Sequence, residues 1–156
     1  MDGLFHRNEW DMLQAVAAPE ALPADPTNAA ADDVGAAALG KKLFFDASLS
    51  PSGTVSCASC HDPKKQLSDG LAQAQGVARG DRKTPRIALA AFSRWQFWDG
   101  RADTLWAQAL GPLENPSESG ASRLFVAHRI RDAYAAPFQA AFPSHPLPEM
   151  SAWPAN

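Results

Sequence analysis

Apolar residues recur at the three- and four-residue spacing of an amphipathic helix in two long stretches of the chain, residues 36–45 and 122–142. Residues 9–16 and 102–110 are also predicted to be helical. Gly111 and Pro112 are expected to end the helix over 102–110, because proline cannot continue the backbone hydrogen bonds. No pair of strands and no internal repeat is evident, so the pattern predicts a mostly α fold with few or no strands. The apolar positions at helical spacing are Leu39, Leu43 and Phe44, then Leu124, Phe125, Ile130, Tyr134 and Phe138.

Long polar segments separate the predicted helices. Thirteen prolines and ten glycines in 156 residues indicate a loop-rich chain. We divide it into an N-terminal extension and linker at 1–34, one domain at 35–143 and a proline-rich tail at 144–156. Within the domain, residues 62–85 are predicted to form an extended loop, and residues 87–98 are apolar and aromatic.

The charge and the hydropathy exclude two classes of partner. A formal net charge of −3 provides no attraction for nucleic acid or an anionic membrane surface. No apolar run approaches the roughly 20 residues that a membrane-spanning helix requires. The first residues lack a basic region followed by a hydrophobic stretch, so no secretory signal is expected within this chain.

Both cysteines of the chain lie in the sequence CASCH at residues 57–61, the pattern of covalent c-type haem attachment. Two thiols three residues apart can each add to a haem vinyl group, and the adjacent histidine then becomes the proximal iron ligand. The alternatives are a zinc half-site, a redox dithiol and a disulfide. Zinc would need two further ligands, yet no second cysteine pair exists and the other histidines are scattered. We therefore predict one covalent haem c, held by Cys57, Cys60 and His61, with His61 on the iron.

Six ordered blocks make the chain similar to the bacterial di-haem cytochrome c peroxidase family, which includes the MauG-like enzymes. The resemblance covers about residues 35–143 and implies a cytochrome c-like haem domain with long loops. It matches the N-terminal, peroxide-reducing domain of the family, and implies that the tail leads to a C-terminal haem domain absent from this sequence. The blocks are residues 40–46, 56–63, 67–70, 82–85, 97–103 and 108–112.

The resemblance also implies roles for residues outside the haem motif. Glu118 follows Gln108 by ten residues, which resembles the spacing of the family's distal acid–base glutamate and its glutamine. Pro112 matches the distal-pocket proline. The alternatives are a solvated loop carboxylate, a helix-surface amide and a plain helix terminator.

Two further residues have both a functional and a structural interpretation. Trp98 resembles the tryptophan that relays electrons between the two haems, and its alternative is an ordinary core aromatic. Arg101 is a candidate partner of a haem propionate, because guanidinium matches carboxylate geometry. It is equally able to form a structural ion pair with Asp99.

Two positions depart from the family pattern. Gln75 occupies the place of the histidine that is the resting distal ligand in the classical peroxidases. His128 and Met150 are alternative sixth ligands, but neither lies where the family has one. We therefore expect a five-coordinate or water-bound haem, as in the MauG-like relatives. Lys83 stands where the family commonly has an asparagine that supplies a calcium ligand. Because an ammonium group cannot coordinate calcium, no calcium site is carried over.

The expected function is reduction of hydrogen peroxide with electrons from a small c-type cytochrome or a cupredoxin. Glu118 would move the proton, Gln108 would form the distal hydrogen bond and Trp98 would conduct electrons from the second haem domain. One alternative is a monohaem electron carrier, and another is a MauG-like oxidase that modifies a partner protein. Since haem c is normally attached outside the cytoplasm, we expect a periplasmic protein, represented here by a mature or truncated chain.

Overall fold

Five α-helices are the regular elements of the computed structural model, which describes residues 4–17, 21–149 and 154. Three short 3₁₀ turns connect them, and the described residues contain no strand, only the isolated bridges between Gln75 and Arg79 and between Gln96 and Ala102. The predicted mostly α class is therefore confirmed. The helices are α1 (Arg7–Ala15), α2 (Val34–Phe45), α3 (Cys57–Cys60), α4 (Leu105–Glu114) and α5 (Arg123–Ala141).

Side-chain caps determine where the helices begin. The Asp33 carboxylate accepts from the Ala36 N–H at 2.7 Å, so α2 starts two residues before the predicted position. Thr104 accepts from Ala107 in the same way, at 3.2 Å, and α4 starts at Leu105. The sequence prediction placed the start of α4 three residues too early.

The predicted end of α4 at Gly111 and Pro112 is wrong, because the helix continues to Glu114. Pro112 lacks only the N–H that would reach back to the preceding turn, and the next turn still forms: the Asn115 N–H donates to Gly111 at 2.9 Å. The following loop then satisfies the last carbonyls, with Ser119 donating to Pro112 at 3.1 Å.

The helix pair α2 and α5 supports the motif helix α3. α2 packs on α5 and on α3, and the 3₁₀ turn Ala47–Leu49 after α2 also contacts α5. In the described part of the chain, no helix is both long enough and apolar enough to cross a bilayer. The most deeply buried apolar side chains are Leu39, Leu49, Ala121, Ile130 and Ala141.

Tyr134 on α5 is bonded to the end of α2, and its replacement by phenylalanine should destabilise the fold. Its hydroxyl donates to Asp46 Oδ2 at 2.7 Å. Burial raises the pKa of the Asp46 carboxyl, but the hydrogen bonds from Tyr134 and Ser48 lower it more, so the pKa lies below its ordinary value. We expect Tyr134→Phe to lower the unfolding free energy by about 1 kcal/mol at pH 7.

The effect of Tyr134→Phe on the unfolding free energy should become smaller at acidic pH. Because the pKa of Asp46 is lower in the folded chain, the stabilisation is complete above the ordinary aspartate pKa of about 3.9. It is lost as pH falls through the folded-state value. Urea unfolding across this range measures it, and in an Asp46→Asn background the effect of Tyr134→Phe should shrink. An equal effect in both backgrounds contradicts the assignment.

Candidate haem site

The haem motif forms the single helical turn α3, with His61 as the residue that ends it. The Ser56 N–H donates to Ser59 Oγ at 3.0 Å at the start, and the His61 N–H donates to the Cys57 carbonyl at 2.9 Å at the end. Residues three apart in a helix are neighbours on one face. Both thiols are therefore presented together, free and half-buried.

Burial makes both cysteines weak acids. It raises the pKa of the Cys57 thiol, and it also raises the pKa of Cys60, where the negative charge of Asp69 adds to the effect. Among the described residues, no group of three or more His, Cys, Asp or Glu side chains is arranged to hold a metal ion, so the structure offers no zinc site. The two thiols are unpaired, as covalent addition to a haem requires.

The His61 ring is oriented by a backbone carbonyl. Its Nδ1 lies 3.1 Å from the Leu67 oxygen, and because a carbonyl can only accept, Nδ1 carries the proton. Nε2 is then unprotonated in the neutral ring and has a lone pair for a metal. The donor set of two free thiols and one such nitrogen fits haem c.

A second segment, residues 75–78, connects the haem motif to Glu118. Cys60 Sγ lies 3.6 Å from the Gln75 carbonyl oxygen. On the other side, the Val77 N–H donates to the Glu118 carbonyl at 2.9 Å. The structure therefore brings together three residues that the sequence analysis singled out separately, Cys60, Gln75 and Glu118.

Gly76 makes this close approach possible. A Cβ at this position would lie 2.4 Å from the Ser117 oxygen and 2.7 Å from the Glu118 Cα, both of them backbone atoms. Such distances are well inside van der Waals contact, so any side chain would push the two segments apart. The absence of a side chain at Gly76 therefore sets the distance between Gln75 and Glu118.

Replacing Gly76 with alanine should separate these segments at a measurable cost. We expect the unfolding free energy to fall by about 1–3 kcal/mol, the usual cost of overpacking. Gly40 in α2 is the control, because a Cβ there meets nothing within 4 Å. Gly40→Ala should stabilise the chain by about 0.5–1 kcal/mol. Guanidinium unfolding of the two variants provides the comparison, and equal stability would exclude the steric role.

Gln108 and Pro112 lie one turn apart on α4, and both are half-buried. Because Pro112 has no N–H, the Gln108 carbonyl lacks its usual helical donor. Glu118 follows in the next loop, half-buried, and its Oε1 accepts from Asn115 Nδ2 at 2.7 Å. The sequence analysis missed Asn115, although an asparagine just after a helix often forms an Asx-turn, and its Oδ1 accepts from the Ser117 N–H at 2.9 Å.

Trp98 is not a core residue, because its exposed fraction is 73%. The Arg82 guanidinium lies 3.9 Å from the centre of its ring, a cation–π contact. Trp98 also lines an open depression of about 460 Å³ together with Trp95 and Phe97. An exposed tryptophan beside such a depression is available to a partner surface.

Arg101 is bound within its own loop. Its Nη1 lies 2.8 Å from Asp99 Oδ1, and its guanidinium lies 3.5 Å from the centre of the Phe97 ring. The structure thus contains the ion pair that was one of the two alternatives. The role of Arg101 toward a haem propionate stays a prediction.

The other candidates from the sequence are His128, Met150 and Lys83. His128 Nε2 lies 3.0 Å from the Pro154 oxygen, so its ring faces the tail. Met150, the other residue considered as a sixth ligand, lies outside the described residues. Lys83 is exposed.

A helical chain that presents two free thiols and a suitably protonated histidine on one turn defines a c-type haem domain. The sequence profile of the di-haem cytochrome c peroxidase family matches residues 35–154, and the chain belongs to this family. The predicted resemblance is confirmed.

Individual relatives agree with this assignment. The chain is 42% identical to the methylamine utilization protein MauG of Methylorubrum extorquens over 130 residues, 81% of this chain and 36% of the relative. It is 38% identical to the cytochrome c551 peroxidase of Pseudomonas aeruginosa over 109 residues, 67% of this chain and 32% of that protein. The chain thus spans about a third of the length of these relatives.

A solved structure has the same fold. The crystal structure of a MauG-like protein associated with microbial copper homeostasis superposes with a TM-score of 0.71 at 32% identity. The match covers 85% of this chain and 41% of that one.

Proposed function

We propose that this chain is the peroxide-reacting haem c domain of a di-haem peroxidase. One observation supports the proposal most directly: segment 75–78 contacts Cys60 on one side and Glu118 on the other. This contact is with the Glu118 backbone, and the negative charge of the Glu118 carboxylate lies close enough to Cys60 to add to the effect of burial in raising the pKa of its thiol. Peroxide chemistry needs a proton-transferring group beside the haem.

The reaction is H₂O₂ + 2H⁺ + 2e⁻ → 2H₂O. Bound haem iron would supply the coordination site for peroxide and the electrons for cleavage of its O–O bond. Glu118 accepts the proton from one peroxide oxygen and returns it to the other, which leaves as water. Because Asn115 holds Oε1 at 2.7 Å, Oε2 is the oxygen assigned to this transfer.

The other residues of the site would hold the haem and orient the peroxide. Cys57 and Cys60 would hold the haem through thioethers, and His61 Nε2 would bind its iron. The Gln108 side-chain amide would donate a hydrogen bond to peroxide, and Pro112 would restrict the volume around it. Gln75 has no ring nitrogen and would leave the iron accessible to peroxide or water.

The proposed source of electrons is a second haem domain, either C-terminal to residues 144–156 or on a separate chain. Trp98 is the proposed conduit, and its 73% exposure supports this role because an exposed ring is accessible to a docking domain. The proposed external donor is a small c-type cytochrome or a cupredoxin in the periplasm. No calcium ion is proposed, since Lys83 offers no oxygen ligand.

A MauG-like oxidase that modifies a partner protein is the second candidate. The observation that favours it is Gln75 in place of a ligating histidine, because an open iron admits oxidant without a reductive step. The identity of 42% to a MauG protein supports it further. Product analysis separates the two: peroxidase turnover oxidises a reduced cytochrome or cupredoxin, whereas the oxidase alters amino-acid side chains.

Absorption and electron paramagnetic resonance spectra of the haem-loaded chain, before and after peroxide, test the proposal. We expect a high-spin signal from the oxidised protein and a rapid spectral change with peroxide. A purely low-spin spectrum that is inert to peroxide contradicts the proposal and identifies a monohaem electron carrier.

A further inference from the structure

We propose that Asp69 is a positioning residue. It keeps the Leu67 carbonyl within hydrogen-bond distance of His61 Nδ1 and links this hydrogen bond to the segment that contains Gln75. The inference rests on the proposed attachment of haem at Cys57, Cys60 and His61. It concerns how the proximal ligand is oriented and does not depend on peroxide turnover.

The carbonyl that orients His61 belongs to a strained piece of backbone. Gln66 and Leu67 adopt φ values of 59° and 57°, in the left-handed region. This region is unfavourable for residues other than glycine, so such a pair persists only when its surroundings enforce it. On its N-terminal side the turn is closed by the Leu67 N–H, which donates to the Asp62 carbonyl at 2.9 Å.

A buried polar network closes the C-terminal side. Ser68 Oγ donates to the Thr84 carbonyl at 3.0 Å, and Thr84 Oγ1 donates to Asp69 Oδ2 at 2.8 Å. The other carboxylate oxygen, Oδ1, accepts from the Leu71 N–H at 2.9 Å. Ser68, Asp69 and Thr84 are 6%, 7% and 3% exposed, so water does not replace these bonds.

Asp69 also interacts with the segment on the other side of the haem motif. Burial raises the pKa of its carboxyl, but the hydrogen bonds from the Leu71 N–H and the Thr84 hydroxyl, with a smaller effect from the Gln75 backbone, lower it more, so the pKa is below its ordinary value. The charge of Asp69 also acts on Cys60, and the Gln75 carbonyl lies 3.6 Å from Cys60 Sγ. The carboxylate therefore lies between the loop that orients His61 and the segment that approaches Glu118.

The consequence concerns the electron density on the iron ligand. A hydrogen bond from Nδ1 makes the imidazole a stronger base and a better donor to iron. If the Leu67 carbonyl loses its fixed position, this bond weakens, oxidised iron is less stabilised and the reduction potential rises. A residue that served only stability would leave the potential unchanged.

The test compares two pairs of variants of the haem-loaded chain. Thr84→Val removes the hydroxyl that donates to Asp69, whereas Thr84→Ser keeps it. Asp69→Asn removes the carboxylate, and Asp46→Asn is its control, because Asp46 also bonds a hydroxyl and a backbone N–H but has no described contact with His61 or Leu67. Pyridine haemochrome spectra first establish that each variant carries covalent haem.

Potentiometric titration and electron paramagnetic resonance then provide the readout. We expect Asp69→Asn and Thr84→Val to change the equilibrium constant for reduction about tenfold, or about 59 mV for one electron. Their oxidised spectra should broaden, while Thr84→Ser and Asp46→Asn match the parent. Unchanged potentials and spectra in both Thr84→Val and Asp69→Asn overturn the inference, even if stability falls. A parent chain that attaches no haem at this motif instead overturns the proposed function and removes the basis of this inference.

Discussion

Replacing Glu118 with glutamine is expected to reduce the rate of reaction with hydrogen peroxide by about 10²–10⁴-fold, the usual contribution of a positioned acid–base group. Glutamine preserves the size of the side chain and an oxygen for Asn115 Nδ2, which donates to Oε1 at 2.7 Å in the parent. The fold and the haem attachment should therefore survive. Only the ability to accept and return a proton is lost.

Stopped-flow absorbance of the haem-loaded chain mixed with peroxide measures this rate. Glu114→Gln is the matched control, because Glu114 is a neighbouring glutamate whose Oε1 pairs with Arg123 Nε at 2.8 Å on the surface. The control should react at the parent rate. The pH–rate profile of Glu118→Gln should also lose the limb that reports the acid–base group. A rate within threefold of the parent would assign Glu118 to the structural alternative, a solvated loop carboxylate.

Replacing Gln75 with histidine is expected to close the iron to peroxide. The Gln75 carbonyl lies 3.6 Å from Cys60 Sγ, and the backbone of Gly76 packs closely on Glu118. The backbone of a histidine at position 75 would therefore lie beside the haem-attachment turn. Ligation that favours the closed form by about 2.8 kcal/mol would slow the peroxide reaction about 100-fold. The resting spectrum should change from high-spin to low-spin at the same time.

The spectral change and the rate must move together if this assignment is correct. Gln139→His on α5 is the control, because it adds a histidine at an exposed glutamine whose side chain bonds the Pro143 carbonyl. It should alter neither quantity. A high-spin spectrum with the parent rate in Gln75→His would show that residue 75 does not approach the iron. Reductive titration should restore peroxide reactivity if the new ligand dissociates from reduced iron.

The local elements were predictable because their causes lie close together in the chain. The motif at residues 57–61 predicts two thiols that act on one haem, and the structure presents both on the helical turn α3. α5 was predicted at 122–142 and forms over Arg123–Ala141. Its start was visible because Ser122 is a side-chain cap next to an amphipathic pattern. The end of α4 was predicted wrongly, because the loop that satisfies its last carbonyls returns from later residues.

The contacts around the motif depend on segments that are distant in sequence. Asp69 and Thr84 are fifteen residues apart, and the close approach of Gly76 to Glu118 joins two loops without any periodic pattern. Sequence reasoning found Glu118 through family spacing, yet it missed Asn115 and Asp69. Asp69 lies in the block 67–70, but only the fold brings its partner Thr84 beside it.

The sequence by itself determined the helical class and the family and predicted the attachment chemistry, because two thiols, a histidine and amphipathic spacing are local properties of the chain. Only the tertiary structure decided which backbone carbonyl orients His61, which segment lies between Cys60 and Glu118, and that Trp98 faces solvent. The physical reason is that these features arise from loops in left-handed or closely packed conformations. Such conformations are stable only when distant polar groups, buried together, satisfy their hydrogen bonds.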